Sequence, residues 1–303
     1  MPKGLREIRN RIKSVKSTGQ ITRAMQLVAS SKMKRAQDAA KASRDYAELL
    51  GEILDTALSK VGEFSHPLLK KREVKTRGIL LVTPDKGMCG ALNSNLTRVA
   101  FEIQGAAFVT IGRKGKQALA RAGRTLLADF PVSDRANFSE VRPAAEFLIK
   151  AFLDGKVDTV EVLYAYFKNT LVQSPRVQRL LPADGLVQQA RELREKLGLP
   201  EPKIESDERD MIFEPSVSHI LNELPGLFFK QAVHQAVLES KASEHSSRMV
   251  AMKAATITPR KSRRHSPSST TRPAKLRSPR KFSNSLQARP PNLNFITQTY
   301  LHF

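Results

Sequence analysis

The chain has 303 residues, 40% of them hydrophobic and 26% charged, which is enough apolar material for one good core in one or two domains. Its formal net charge of +22 is concentrated at the ends: residues 1–50 hold twelve basic against four acidic side chains, and residues 257–303 hold ten basic and none acidic. The one cysteine, Cys89, excludes an internal disulfide and fits a reducing compartment, and no apolar run approaches the ~20 residues that span a bilayer.

Residues 3–61 contain no proline and three glycines, Gly4, Gly19 and Gly51. Apolar side chains recur in steps of three and four at Leu5, Ile8, Ile12, Val15, Ile21, Met25 and Val28, broken once at Thr18-Gly19. Small residues (Ala36, Ala39, Ala40, Ser43) carry the seam past Met33, followed by Tyr46, Leu50, Ile53, Ala57 and Val61. This spacing predicts one helix on the order of 85–90 Å long at about 1.5 Å per residue, so it must project from any compact domain. A thin apolar stripe does not hold a helix in water by itself, so a partner helix is required; a coiled-coil dimer would supply it. The other face, from Lys3 to Arg44, is strongly basic and suits an acidic surface. The start is amphipathic and basic like a transit peptide, but its pattern runs unbroken into the helix and reads as mature protein.

The helix is expected to end near Gly62, ahead of His66-Pro67, and 70–77 reads as a polar connector. The continuous apolar run 78–83 predicts a strand buried on both faces. A turn at 84–87 and a helix over 91–102 follow, then a strand at 106–111, a helix at 114–122, a short strand at 125–128, a helix at 139–154 and a strand at 159–167. Strands alternating with helices imply a mostly parallel sheet with helices on its faces, with Val177–Leu181 as a last, antiparallel strand. Residues 183–210 are polar with a short helix expected at 186–197, and 211–213 read as an extended insertion. From Ser216, a natural N-cap, a second long helix begins, with Ile220, Leu224, Phe228, Val233, Val237 and Leu238 on its apolar side and a kink expected at Pro225-Gly226. After Thr256 the composition changes to proline, serine and basic residues, which predicts a disordered tail.

Few residues offer chemistry. The segment TPDKGMCGALN (83–93) follows a strand and opens a helix, but it lacks the spacing of a P-loop or a dinucleotide site and reads better as a structural turn. An enzyme using Lys86 against phosphate is the reading it would otherwise support. Cys89 reads as a small core residue, and the six histidines (66, 219, 234, 245, 265 and 302) show no metal-ligand spacing. Glu244 and Arg248, four apart, read as a local ion pair worth a few tenths of a kcal/mol. No catalytic site, cofactor or metal is expected. Nor do the basic ends carry the aromatic interleaving of a nucleic-acid surface.

Three segments, ITRAMQLVASSKMKRAQ (21–37), TPDKGMCGALN (83–93) and SEHSSRMVAMKAAT (243–256), closely resemble the gamma subunit of bacterial F-type ATP synthases, over residues 1 to about 256. The resemblance implies an antiparallel coiled coil of the long N- and C-terminal helices, carried on a mostly parallel, Rossmann-like α/β domain. The segments would be a shaft helix over 1–65, the α/β domain over 70–210, a truncated C-terminal shaft helix over 211–256 and an atypical basic tail over 257–303. The implied role is a non-catalytic central-stalk rotor subunit that couples proton flow to ATP synthesis in the beta subunits. Its implied partners are the alpha and beta subunits, the epsilon subunit and the membrane c-ring, on the cytoplasmic face of the inner membrane without direct insertion. Carried over position by position, Met25 faces an acidic beta-subunit loop, and Arg23, Lys32 and Lys34 suit that surface by charge. Phe213 and Glu214 meet the c-ring, and Glu244 and Arg248 fall on the C-terminal helix. The alternative function, a basic coiled-coil protein that binds nucleic acid, predicts steeply salt-dependent DNA binding.

The chain departs from this family after Thr256, where the family's helix runs on for about thirty residues, through a Tyr-Asn-Lys-Ala-Arg-Gln-Ala stretch and an Ile-Thr-x-Glu signature. A neighbouring reading frame takes its second and third bases from the first two of each codon here. In that frame Thr270 to Leu276 can be written Tyr-Asn-Lys-Ala-Arg-Gln-Ala, Ser278 to Phe282 as Ile-Thr-Lys-Glu-Ile and Ile257 to Arg260 as Asp-Asn-Ala-Ala. The expectation is that 257 to about 282 are a frameshifted form of the missing helix, by mutation or sequencing error. The N-terminal helix up to about Val28 would then lack its pairing surface, and the chain as written would couple poorly.

Overall fold

The computed structural model describes residues 3–59, 66–182, 214 and 216–264. Helix α1 (Lys3–Ser59) leads, after a short 3₁₀ turn at Pro67–Leu69, into the alternating series β1 (Arg77–Val82), α2 (Leu92–Glu102), β2 (Ala106–Ile111), α3 (Arg113–Arg121), β3 (Leu126–Phe130), α4 (Phe138–Leu153) and β4 (Thr159–Phe167). Strand β5 (Gln173–Leu181) and helix α5 (Val217–Arg264) close the described chain.

The strands form one sheet in the order β3-β2-β1-β4-β5. Strands β3, β2, β1 and β4 pair in parallel and β5 is antiparallel to β4, as the alternation of elements predicts. Both faces are covered, which is why β1, β2 and β4 read as unbroken apolar runs. Leu80, Val82, Val109 and Val162 look toward α4, α5 and α1, whereas Ile79, Leu81, Phe108 and Leu163 look toward α2 and α3. Gly112 (φ +101°) lets β2 turn into α3 against Thr83; a Cβ there would stand 1.8 Å from the Thr83 carbonyl oxygen.

Helices α1 and α5 run antiparallel. Gln231 on α5 donates to the Ser43 hydroxyl (2.8 Å), while Thr256, 25 residues further along α5, meets Thr22 through their hydroxyls (2.8 Å). The partner α1 requires is therefore in the same chain, not in a second copy.

Most boundaries fall within a residue or two of expectation, and three differ in instructive ways. Strand β5 begins at Gln173, four residues earlier than expected, because Pro175 sits on an edge strand, where a missing N–H donor is tolerated. Helix α5 starts after Ser216, whose hydroxyl accepts the His219 N–H at 3.2 Å, and is continuous through Pro225-Gly226. It also continues to Arg264, eight residues beyond the change of composition at Thr256, with Pro259 inside it. Thr256 is tied both to Thr22 and to the Met252 carbonyl one turn back, which holds the helix on its path at that point. The expected end of α1 near Gly62, the helix at 186–197, the insertion at 211–213 and the tail from 265 lie outside the described residues.

Candidate functional site

The described residues carry a shaft and a junction where the shaft enters the α/β domain. The shaft is written in one heptad phase: Ile8, Val15, Thr22, Ala29, Ala36, Ser43 and Leu50 are each seven apart. From Thr22 to Leu50 these positions are buried, and the small side chains from Thr22 to Ser43 leave room for α5 to pack closely on α1. Before Thr22 the phase persists without the burial: Ile8 is 55% exposed, as is Ile12 at 46%, one turn along the seam. A second apolar stripe, Ile21 and Val28, points away from α5, each one position before a buried seam residue and 57% exposed. Exposed Arg35 borders it, exposed Arg23 and Lys34 lie on the far side of the helix from it, and Met25 is half-buried between stripe and seam.

The residues singled out by resemblance do not converge. Arg23, Met25 and Lys34 share the shaft surface, but the Lys32 ammonium pairs with Asp134, on the loop between β3 and α4. That hydrogen bond holds the Asp134 carboxyl below the usual carboxylate range. Glu214 is exposed at a bend, and Phe213 lies outside the described residues. Glu244 and Arg248 do pair, at 2.8 Å, but their side chains are only 6% and 11% exposed. The sequence reading of a local pair worth a few tenths of a kcal/mol is therefore corrected: this is a buried pair in which loss of one partner strands the other's charge.

The junction surrounds α5. Residues 236–246 are buried on every side of the helix although they include Glu239, Ser240, Lys241, Ser243, Glu244, His245 and Ser246. Polar groups buried so completely need partners, and the α/β domain provides backbone carbonyls. Ser243 donates to Ala165 in β4 (2.8 Å), Ser246 to Thr170 in the β4–β5 loop (2.8 Å) and Ser247 to Cys89 in the turn after β1 (2.7 Å). Arg248 reaches the Gly87 and Lys86 carbonyls at 3.3 and 3.4 Å. The tempting 83–93 segment is thus architecture: its carbonyls grip α5, and Cys89 is 1% exposed with its thiol pushed up by burial, away from the reactive thiolate.

Two junction contacts had no usable signal in the sequence. Arg44 on α1 pairs with buried Glu239 on α5 at 2.9 Å, and the His234 ring Nε2 meets the Ala136 carbonyl at 2.9 Å. Each joins residues about a hundred or more positions apart, with no local pattern to announce the pairing. Among the described residues there is no group of three or more potential metal ligands and no helix long and apolar enough to cross a membrane.

Comparison with known proteins gives one consistent result. A family model described as ATP synthase matches residues 4–259. The ATP synthase gamma chain of Opitutus terrae is 52% identical over 251 residues, 82% of this chain and 85% of that protein. That of Methylacidiphilum infernorum is 38% identical over 258 residues, covering 83% and 86%. Among solved structures, the central stalk and c-ring of the Tetrahymena thermophila mitochondrial ATP synthase contains a similar chain. It has a TM-score of 0.55 and 25% identity, and the match covers 78% of this chain and 99% of that one. A chain of the Euglena gracilis mitochondrial ATP synthase rotor shares the fold, with a TM-score of 0.53 and 17% identity over 87% and 99% of the two chains.

Proposed function

Because the chain belongs to the ATP synthase gamma family, we propose that it is the central-stalk rotor subunit of a bacterial ATP synthase and performs no bond chemistry itself. The observation that carries this is the antiparallel α1–α5 pair, a rod with an outward basic and apolar surface, rooted in an α/β domain by buried polar contacts. The family membership sets aside the basic rod that binds nucleic acid.

The mechanism follows from asymmetry. A rod that presents apolar Ile21, Met25 and Val28 on one side and basic Arg23 and Lys34 on another contacts three equivalent catalytic subunits unequally. A ligand-like contact shifts a conformational equilibrium only by its differential affinity for the two states, so unequal contacts give unequal nucleotide affinities. Rotation of the rod passes that inequality around the ring. Arg23, Met25 and Lys34 are assigned to an acidic beta-subunit surface. Lys32, already paired with Asp134, is assigned to hold the β3–α4 loop on the shaft. Glu214 and Phe213 are assigned to the c-ring side with the epsilon subunit, and Glu244 and Arg248 to the root of the shaft. The complex places the chain at the cytoplasmic face of the membrane, peripherally. The segments proposed are a shaft helix over 1–65, an α/β domain over 70–210, and a C-terminal shaft helix from 211. The last includes residues 257–264, the first part of the stretch proposed as frameshifted over 257 to about 282.

Calorimetry separates this reading from an enzyme built on Lys86. The rotor reading expects no heat of ATP binding to the isolated chain, and saturable binding lost in Lys86→Ala would defeat it.

A further inference from the structure

The three hydroxyls at the junction do more than satisfy buried carbonyls. At about 100° per residue around a helix, the side chains at 243, 246, 247 and 248 point in directions spread over roughly 200° of the circumference. Their acceptors belong to three separate segments of the α/β domain: Ala165 in β4, Thr170 in the loop before β5, and Cys89 with Gly87 in the turn after β1. Apolar burial is non-directional, so by itself it fixes the azimuth and height of a helix through shape alone. Hydrogen bonds have narrow angular tolerance, and a helix bonded from several sides meets all of them at one azimuth and one height only. Helix and turn are in direct contact here: a Cβ on Gly90, next to Cys89, would lie at van der Waals distance, 3.5 Å, from the Ser247 hydroxyl.

We infer that Ser243, Ser246 and Ser247 are positioning residues that key the α5 shaft into the α/β domain, so that the two turn as one body and torque passes between them without slip. The inference rests on the rotor reading for its purpose, but the key itself is a property of this chain. The buried Glu244–Arg248 pair supports it by holding the Arg248 guanidinium over the Gly87 carbonyl. No part of it involves the outward face of α1, where the catalytic ring is assigned.

The test uses the full chain with nitroxides at two exposed positions, Arg121→Cys on α3 and Lys253→Cys on α5, and reads their distance distribution by pulsed electron resonance. The unmodified clasp gives one narrow distribution. With Ser243→Ala, Ser246→Ala and Ser247→Ala together, the distribution broadens to roughly twice its width while helical circular dichroism is retained, because a helix freed of its keys samples several azimuths. Ser247→Thr, which keeps the hydroxyl, stays narrow where Ser247→Ala broadens in part. Ser247 is less buried than its two neighbours, so this single pair carries the test if the triple variant does not fold. An unchanged width in folded Ala variants overturns the inference, since loss of mere stability lowers the unfolding midpoint without broadening the distribution. Failure of the chain to assemble with alpha and beta subunits would remove the rotor reading and leave the width result standing, so the two failures are distinguishable.

Discussion

One helix behaves as two different objects. From Ala29 to Leu50, α1 is a core element, its seam buried on α5 and tied across by Ser43 and Arg44. Before Thr22 the same heptad phase continues, but Ile8 stands 55% exposed and Ile12, one turn along the seam, 46%. The periodicity is identical; the difference is what lies opposite. Amphipathic pattern specifies which face wants cover, and only the facing element converts that demand into stability.

The largest effect should come from giving the upper half its cover. Replacing 257–282 by the sequence of the neighbouring reading frame is expected to convert Ile12→Cys from a thiol modified as fast as a free one into a protected one, read by the labelling rate. Equal rates in both forms would break the comparison and the frameshift proposal with it. Codons over 257–282 incompatible with that frame would do the same.

Next in size are core truncations. Phe229, 2% exposed at the root of the shaft, should lose about 3–5 kcal/mol on change to alanine. Ile12→Ala, at 46% exposure, should cost less than about 0.5 kcal/mol. Urea unfolding of both variants reads the contrast directly.

The ion pairs sharpen it further. Arg44→Ala leaves the Glu239 carboxylate, 9% exposed, without its partner across the shaft. The loss should be about 1–2 kcal/mol, kept modest because Arg44 itself is 38% exposed. The Arg11–Glu7 pair on the upper half, with side chains 79% and 66% exposed, should give no measurable change when broken.

The smallest effect is a pH dependence of stability. Burial lowers the pKa of His234 and His245 from the usual 6.5, so both stay neutral in the folded chain down to a lower pH than they would in water. The unfolded chain then binds more protons just below 6.5, and stability falls as the pH drops through that value and levels off below the folded pKa values. Asp134, Glu140 and Asp158 have lowered carboxyl pKa values, so their contribution is present above the usual carboxylate range and is lost only at lower pH. His245→Gln should flatten the upper part of the profile, measured as thermal midpoint against pH, and a profile unchanged by that variant would count against it.

Much of this was legible before any coordinates. The strand at 78–83, the parallel alternation and the Ser216 cap follow from period, β-branching and cap chemistry, all local rules, and the structure bears them out. Resemblance, not periodicity, supplied the partner of α1, because a stripe does not say whether a second copy or a distant segment covers it. What stayed hidden is long-range: that Lys32 turns to Asp134, that Glu244 and Arg248 are buried, and that Ser246 and Ser247 point at carbonyls some 76 and 158 positions away. A serine on a helix reads as solvent-facing until something is packed against it.

The central claim is that this rod belongs inside a ring of catalytic subunits. Its most direct test is the native mass of the material recovered when the chain is expressed together with alpha and beta subunits of a related synthase. The account predicts one copy held in each alpha–beta hexamer. A chain recovered apart from the hexamer, as a stable self-paired particle, would contradict it.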